Sequence, residues 1–105
     1  MPYPKEDIPQ FLNRLNSSII SANNILLESE GINAGAYIHD INRFKSVISF
    51  NINNIKKYYT DPLPDIWEDV NGKLLLSCLL SLETSTRNLA GLIYMAKNGY
   101  KYLGK

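Results

Sequence analysis

Two residue types that build most catalytic and metal sites are almost missing from this chain. Its 105 residues include a single cysteine, Cys78, and a single histidine, His39. One cysteine cannot form a disulfide within the chain, and without a thiol cluster or a second histidine there is no conventional zinc or non-haem iron site. We therefore expect no metal and no other cofactor. Cys78 lies in an apolar run, which predicts a packing role, and His39 is expected at the surface.

The chain also lacks an excess of charge and a long apolar run. Eleven basic and ten acidic side chains leave a net charge of +1, whereas a general polyanion binder needs a clear basic excess. The apolar stretch Leu74–Leu82 is too short for a bilayer, which takes about 20 residues. The opening residues, MPYPKEDIPQ, do not read as a secretory signal. These features predict a cytoplasmic protein without a membrane segment, for which nucleic acid is a poor partner.

Motifs for catalysis are missing as well. The glycines are scattered rather than gathered in a phosphate-binding loop, and no serine sits in a nucleophile-elbow sequence. Arg87 is not followed by the histidine that marks one class of helical ribonucleases. The paired Glu-x-x-His signals of helical carboxylate metal sites do not occur. We expect a protein that is not an enzyme.

Apolar residues at helical spacing predict a single all-α domain over residues 1–105, built as an up-down bundle of three long helices. The first helix is predicted at about residues 8–29, with this stripe: Ile8, Phe11, Leu12, Leu15, Ile19, Ala22 and Leu26. The second is predicted at about residues 35–59, with the cleanest stripe of the chain: Tyr37, Ile41, Phe44, Ile48, Ile52, Ile55 and Tyr59. Asp7 is expected to cap the first helix and Gly31 to end it in a left-handed turn.

The third helical region, around Leu74–Ala96, is the centre of the predicted bundle. Its apolar residues cover more than half of the helix circumference, so it needs neighbours on more than one side. Helical spacing places these residues on one face: Leu74, Cys78, Leu82, Leu89, Leu92 and Ala96. Gly72 leaves open whether a short helix at about residues 65–71 precedes a long one at about 73–98 or whether the two are continuous. Glu83–Thr86 offers another break.

The connector before this region concentrates carboxylates and aromatic side chains. It reads YYTDPLPDIWED over residues 58–69 and contains two prolines. A stiff acidic loop with aromatic anchors suits insertion into a basic cleft, where charge complementarity speeds encounter. We predict partner binding by six residues: Tyr58, Asp61, Asp65, Trp67, Glu68 and Asp69. The alternative is structural, with Asp61 and Asp65 as caps, Trp67 filling the end of the bundle, and the remaining carboxylates solvated.

The back of the second helix offers another candidate surface. Arg43, Phe50 and Lys57 are spaced by seven residues and lie opposite the apolar stripe. A phenylalanine between two cations could stack on a base or contact an acidic partner; alternatively, Phe50 covers a neighbouring helix. The first possibility gives the alternative function, a small nucleic-acid-binding regulator that also uses Lys45 and Lys56.

A compact helical body, an acidic aromatic loop and the lack of a catalytic set together favour a protein-binding module. In this general character the chain resembles the small helical immunity proteins of bacterial toxin–immunity systems, including the contact-dependent inhibition type. The resemblance implies a cognate protein toxin as the partner, with a nuclease domain as one candidate, and an inhibitory function.

Overall fold

The protein is a bundle of three long helices. We describe it from a computed structural model over these residues: 8–32, 35–61 and 63–99. The helices are α1 (Ile8–Glu30), α2 (Ile38–Tyr58) and α3 (Val70–Lys97). A single turn of 3₁₀ helix, Gly35–Tyr37, precedes α2, where the sequence predicted α-helix from residue 35. The described ranges contain no strand, and the helices pack against one another, so the predicted all-α bundle is confirmed.

α3 is the central helix. It packs against both other helices, whereas α1 and α2 make few contacts with each other. Two ion pairs, Arg14–Glu83 and Glu28–Lys97, join α1 to α3, and in each pair the partners are 69 residues apart. This equal separation means that α1 and α3 run parallel and in register. The described part of the chain measures 46 × 23 × 20 Å.

The core takes apolar side chains from all three helices. The largest fully buried ones are Phe11, Leu15, Ile41, Ile48, Ile55, Leu75, Leu79, Leu82, Leu89 and Ile93. Burying each such side chain favours folding by about 1.5–3 kcal/mol. Phe11 and Leu15 of the stripe predicted for α1, and Ile41, Ile48 and Ile55 of the stripe predicted for α2, therefore lie in the core that holds the bundle together.

One polar contact lies inside this core, between α2 and α3. Asn51 is only 4% exposed, and its Nδ2 donates a hydrogen bond to Ser81 Oγ at 2.8 Å. A buried amide left without a partner costs about 1–3 kcal/mol. The pair therefore favours one register of α2 on α3, a role that was not predicted from the sequence.

The stripe predicted for α2 is wrong at its last residue. α2 ends at Tyr58, and Tyr59 has extended backbone with φ −78° and ψ 108°. The side chain of Tyr59 consequently does not continue the apolar stripe of α2, and it is 45% exposed. Tyr58 packs against the core instead.

α3 is continuous, so the alternatives that divide it are wrong. The residues predicted as a short helix at about 65–71 form a turn up to Glu68, and α3 begins at Val70. Gly72 is helical and buried. Glu83–Thr86 does not interrupt α3, and Glu83 binds α1 through its ion pair with Arg14.

The buried face of α3 also differs from the predicted one. Leu74 is 39% exposed, and Cys78, Leu92 and Ala96 are only partly buried against the core. The fully buried row is Leu75, Leu79, Leu82, Leu89 and Ile93. Because apolar residues surround more than half of this helix, periodicity does not locate the centre of the buried face; the positions of α1 and α2 do.

The end of α1 lacks the left-handed turn predicted at Gly31, whose φ is not positive. Instead, the Ile32 N–H donates to the Ser29 carbonyl at 3.2 Å, which satisfies one of the free carbonyls at the helix end. The positive φ in this connector is found at Gly35, at 51°. Asp7, the predicted cap of α1, lies outside the described residues.

Candidate functional site: an acidic loop at the start of α3

The acidic loop, residues 59–69, connects α2 to α3, and Asp65 shapes its second half. Asp65 Oδ1 accepts hydrogen bonds from the backbone N–H of Trp67 at 2.8 Å and of Glu68 at 3.0 Å. The Asp69 N–H donates to the Asp65 carbonyl at 3.0 Å. An aspartate that binds backbone N–H groups two and three residues on is a standard turn former. Capping, the structural alternative for Asp65, therefore describes what this residue does in the loop.

Asp69 is the N-cap of α3. Its Oδ1 accepts from the N–H of Asn71 at 2.8 Å and of Gly72 at 3.4 Å. Aspartate is favoured here because it satisfies free N–H groups and faces the positive end of the helix dipole. Asp61 and Asp65 were the capping candidates predicted from the sequence, and Asp69 was not among them. Asp69 directly precedes the first residue of α3, a boundary that the sequence left open.

A close backbone contact at Gly72 fixes the loop to α3. A Cβ atom on Gly72 would overlap the carbonyl group of Asp65 and lie 2.8 Å from Ile66 Cα. Only glycine lets two backbone segments approach this closely. Ile66 is 6% exposed, and Leu63 packs against the core. The second half of the loop is therefore held in one position on the end of the bundle.

The aromatic residues of the predicted site contact the bundle. Tyr58 and Trp67 are half-buried and pack against the core, so the position of Trp67 agrees with the structural alternative. Lys57 Nζ lies 5.4 Å from the Tyr58 ring centroid, a cation–π contact. The more exposed aromatic side chain is Tyr59, which sequence reasoning missed because it continued the helical phase beyond the end of α2.

All four carboxylates of the loop are on exposed residues: Asp61, Asp65, Glu68 and Asp69. The side chains of Asp61 and Glu68 form no hydrogen bond or ion pair with any described residue. Across the described ranges, no three His, Cys, Asp or Glu side chains are grouped so that they could hold a metal ion. The exposed carboxylates make this end of the described bundle an acidic surface.

The second predicted surface is present on α2, but its cations already have neighbours. Phe50 is 66% exposed, so no helix of the described part covers it. Arg43 Nη2 lies 3.7 Å from Asp40 Oδ1, and its guanidinium carbon lies 5.0 Å from the Phe44 ring centroid. Lys57, at the other end of the row, lies over a tyrosine ring.

The two lysines added to that surface lie elsewhere. At about 100° per residue, Lys45 and Lys56 fall roughly 100° or more around α2 from the row that contains Phe50, and Lys45 is half-buried. The structure therefore does not combine the cations of α2 into one basic face. The nucleic-acid alternative gains no support from this arrangement.

A groove of about 360 Å³ lies on the surface between α1 and α3, and Arg14 and Glu83, which form an ion pair, line part of it. Arg14 donates to both Glu83 carboxylate oxygens, at 2.7 and 2.6 Å, and Ser18 Oγ donates at 3.1 Å. The hydrogen bonds from Arg14 lower the pKa of Glu83 despite the opposing effect of partial burial, and Ser18 and Arg87 act in the same direction as Arg14. Glu83 is therefore ionised at neutral pH.

Cys78 and His39 occupy the kinds of position that the sequence predicted. Cys78 packs against the core as a partly buried side chain, and burial raises the pKa of its thiol. His39 is exposed. Neither residue joins the acidic loop.

Comparisons with known proteins add no family assignment. The chain matches no protein-family model, no curated protein and no solved structure. Among the described helices, none has the length and apolarity needed to cross a membrane.

Proposed function

We propose that this protein is a non-enzymatic binding module that blocks a basic partner protein, as an immunity or inhibitor protein blocks its cognate toxin. The partner class follows from the charge of the acidic loop and from the resemblance of the chain to small helical immunity proteins. A nuclease toxin domain fits this class because its cleft for nucleic acid is basic.

The observation that carries the proposal is the pair of exposed carboxylates without cationic partners in the described part of the chain, of which Glu68 lies in the half of the loop that is fixed to α3. Asp61 and Glu68 are exposed and lack cationic partners among the described residues. Asp65 and Asp69 hold the backbone through their capping bonds, and Gly72 fixes that backbone to α3. A preformed loop loses little conformational entropy on binding, which favours affinity.

The four loop residues divide into two roles. Asp61 and Glu68 are proposed to contact cations of the partner directly. Asp65 and Asp69 position the loop and add negative charge through their second carboxylate oxygens. The exposed ring of Tyr59, beside Asp61 in sequence, extends the contact surface, since tyrosine covers interface area at small entropic cost.

The proposal is tested by co-expressing the full chain with toxin domains encoded beside it. A domain recovered in a pull-down is then measured by calorimetry and stopped-flow kinetics. The double variant Asp61→Lys/Glu68→Lys should weaken binding by about tenfold or more, mainly by slowing association, and the wild-type rate should fall as salt rises.

Glu30→Lys provides the matched control. It makes the same charge reversal as each single loop substitution, half the total change of the double variant, on an exposed residue at the end of α1. The Glu28–Lys97 pair places that end beside the far end of α3, about 40 Å from the loop. This variant should bind like wild type. If no neighbouring toxin binds, the function is wrong; if binding survives the double reversal, the loop is not the interface.

A further inference from the structure

A second helical seam runs along the outside of α3. It consists of Leu76, Leu80, Glu83, Arg87, Ala90 and Tyr94, whose spacing is 4, 3, 4, 3, 4. This is the heptad spacing by which one helix packs along another. The buried row of α3 already serves α1 and α2. In the seam beside that row, Leu76 packs against the edge of the core and Glu83 binds Arg14 of α1, whereas Leu80, Arg87 and Tyr94 are exposed.

Two of the four apolar positions of the seam, Leu80 and Tyr94, are open to solvent. Leu80 is 46% exposed and Tyr94 is 59% exposed; Leu76 and Ala90 are half-buried, and Arg87 is exposed. Single exposed apolar residues are ordinary, but here they follow a heptad pattern beside a groove. The small side chains of Ser17 and Ser21 line the α1 side of that groove, whose volume of about 360 Å³ can accept side chains of another helix.

We propose that this seam binds the same seam of a second copy, with the two α3 helices antiparallel. The order of the side chains is self-complementary: apolar at both ends, with an acid and a base at the centre. Antiparallel pairing places Glu83 opposite Arg87 of the second copy, twice by symmetry. It also places Leu80 opposite the smaller Ala90. Parallel pairing would instead set like charges against each other, which disfavours it.

Glu83 has a free acceptor position for this contact. Its Oε2 accepts from Arg14 and Ser18, and its Oε1 accepts from Arg14 alone. A carboxylate has about four acceptor positions, so one on Oε1 stays open to Arg87 of the second copy. Arg87 itself makes no ion pair with a described residue.

The proposal does not rest on the proposed inhibitory function. Its test is sedimentation equilibrium of the full chain from roughly 10 μM to 1 mM, where small interfaces dissociate. Wild type should show a monomer–dimer equilibrium. Tyr94→Ala should raise the dissociation constant about tenfold or more, and Arg87→Glu should raise it further, because it sets Glu83 against a second carboxylate.

Phe50→Ala is the matched control, since it truncates another exposed aromatic side chain, 66% exposed, on α2 and outside the seam. It should leave the dissociation constant unchanged, and circular dichroism should show that all variants remain helical. A monomer at every concentration overturns the proposal. So does a dimer that Tyr94→Ala and Arg87→Glu leave intact, or that Phe50→Ala weakens equally.

Cross-linking tests the orientation. Two chains, Leu80→Cys and Ala90→Cys, each with Cys78→Ser, are mixed in the presence of a short bismaleimide. Antiparallel pairing predicts that the mixed product forms fastest, because positions 80 and 90 of different copies face each other. Faster linking of identical positions would show a different pairing and overturn the proposed register.

Discussion

Replacing Gly72 by alanine should destabilise the protein, although alanine is the better helix former. The new Cβ would overlap the carbonyl group of Asp65 and lie 2.8 Å from Ile66 Cα. These are backbone atoms and cannot move aside as a flexible side chain would. Overpacking of this kind costs about 1–3 kcal/mol, against a gain of about 0.5–1 kcal/mol for removing a helical glycine. The difference between the two ranges is about 0–2.5 kcal/mol. Because the overlap is with backbone atoms, we expect a net loss in its upper part, about 1–2 kcal/mol.

Urea unfolding followed by circular dichroism measures this loss, and thermal unfolding should show it as a fall in Tm of about 4–8 °C per kcal/mol. Gly91→Ala is the control in the same helix. Gly91 is exposed, and a Cβ there would have nothing within 4 Å, so this variant should gain about 0.5–1 kcal/mol. If the two variants shift stability in the same direction, the loop does not lie against α3 as described.

Three further changes test the loop, the α1–α3 contact and the buried polar pair. Asp69→Ala should lower the free energy of unfolding by about 0.5–2 kcal/mol through loss of the N-cap, whereas Asp69→Asn should stay close to wild type in the same urea titration. The pKa of Glu83 is lower in the folded state than its ordinary value of 4.5. The ionised Glu83 side chain therefore stabilises the fold at pH values above 4.5, and this stabilisation is lost as the pH falls through the folded-state pKa. Glu83→Gln should therefore flatten the dependence of unfolding free energy on pH below about 4.5; an unchanged slope would contradict the assignment. Asn51→Ala should cost about 1–3 kcal/mol in wild type and less in a Ser81→Ala background, a difference that a double-mutant cycle measures.

The candidate site could be located from the sequence, but the roles of its residues could not be separated. The run of carboxylates between residues 58 and 69 marks a surface loop because such side chains stay hydrated. Which of them cap a backbone depends on where α3 begins. The chain places that start at Val70, which makes Asp69 the cap. At Gly72 the backbone of α3 lies against the backbone of the loop. No pattern of residue types in the sequence predicts this contact.

The sequence by itself determined that this protein is helical and placed α1 and most of α2; it did not fix the end of α2 or the start of α3. The apolar stripes of α1 and α2 repeat about every 3.6 residues. This spacing is that of an α-helix, whereas a β-strand would need alternation. Tertiary structure alone decided which side of α3 is buried. Leu74 and Leu75 are equally apolar, yet one is 39% exposed and the other is fully buried. The reason is physical: a helix that is apolar around most of its circumference can bury any of several faces, and only the positions of its neighbours choose among them.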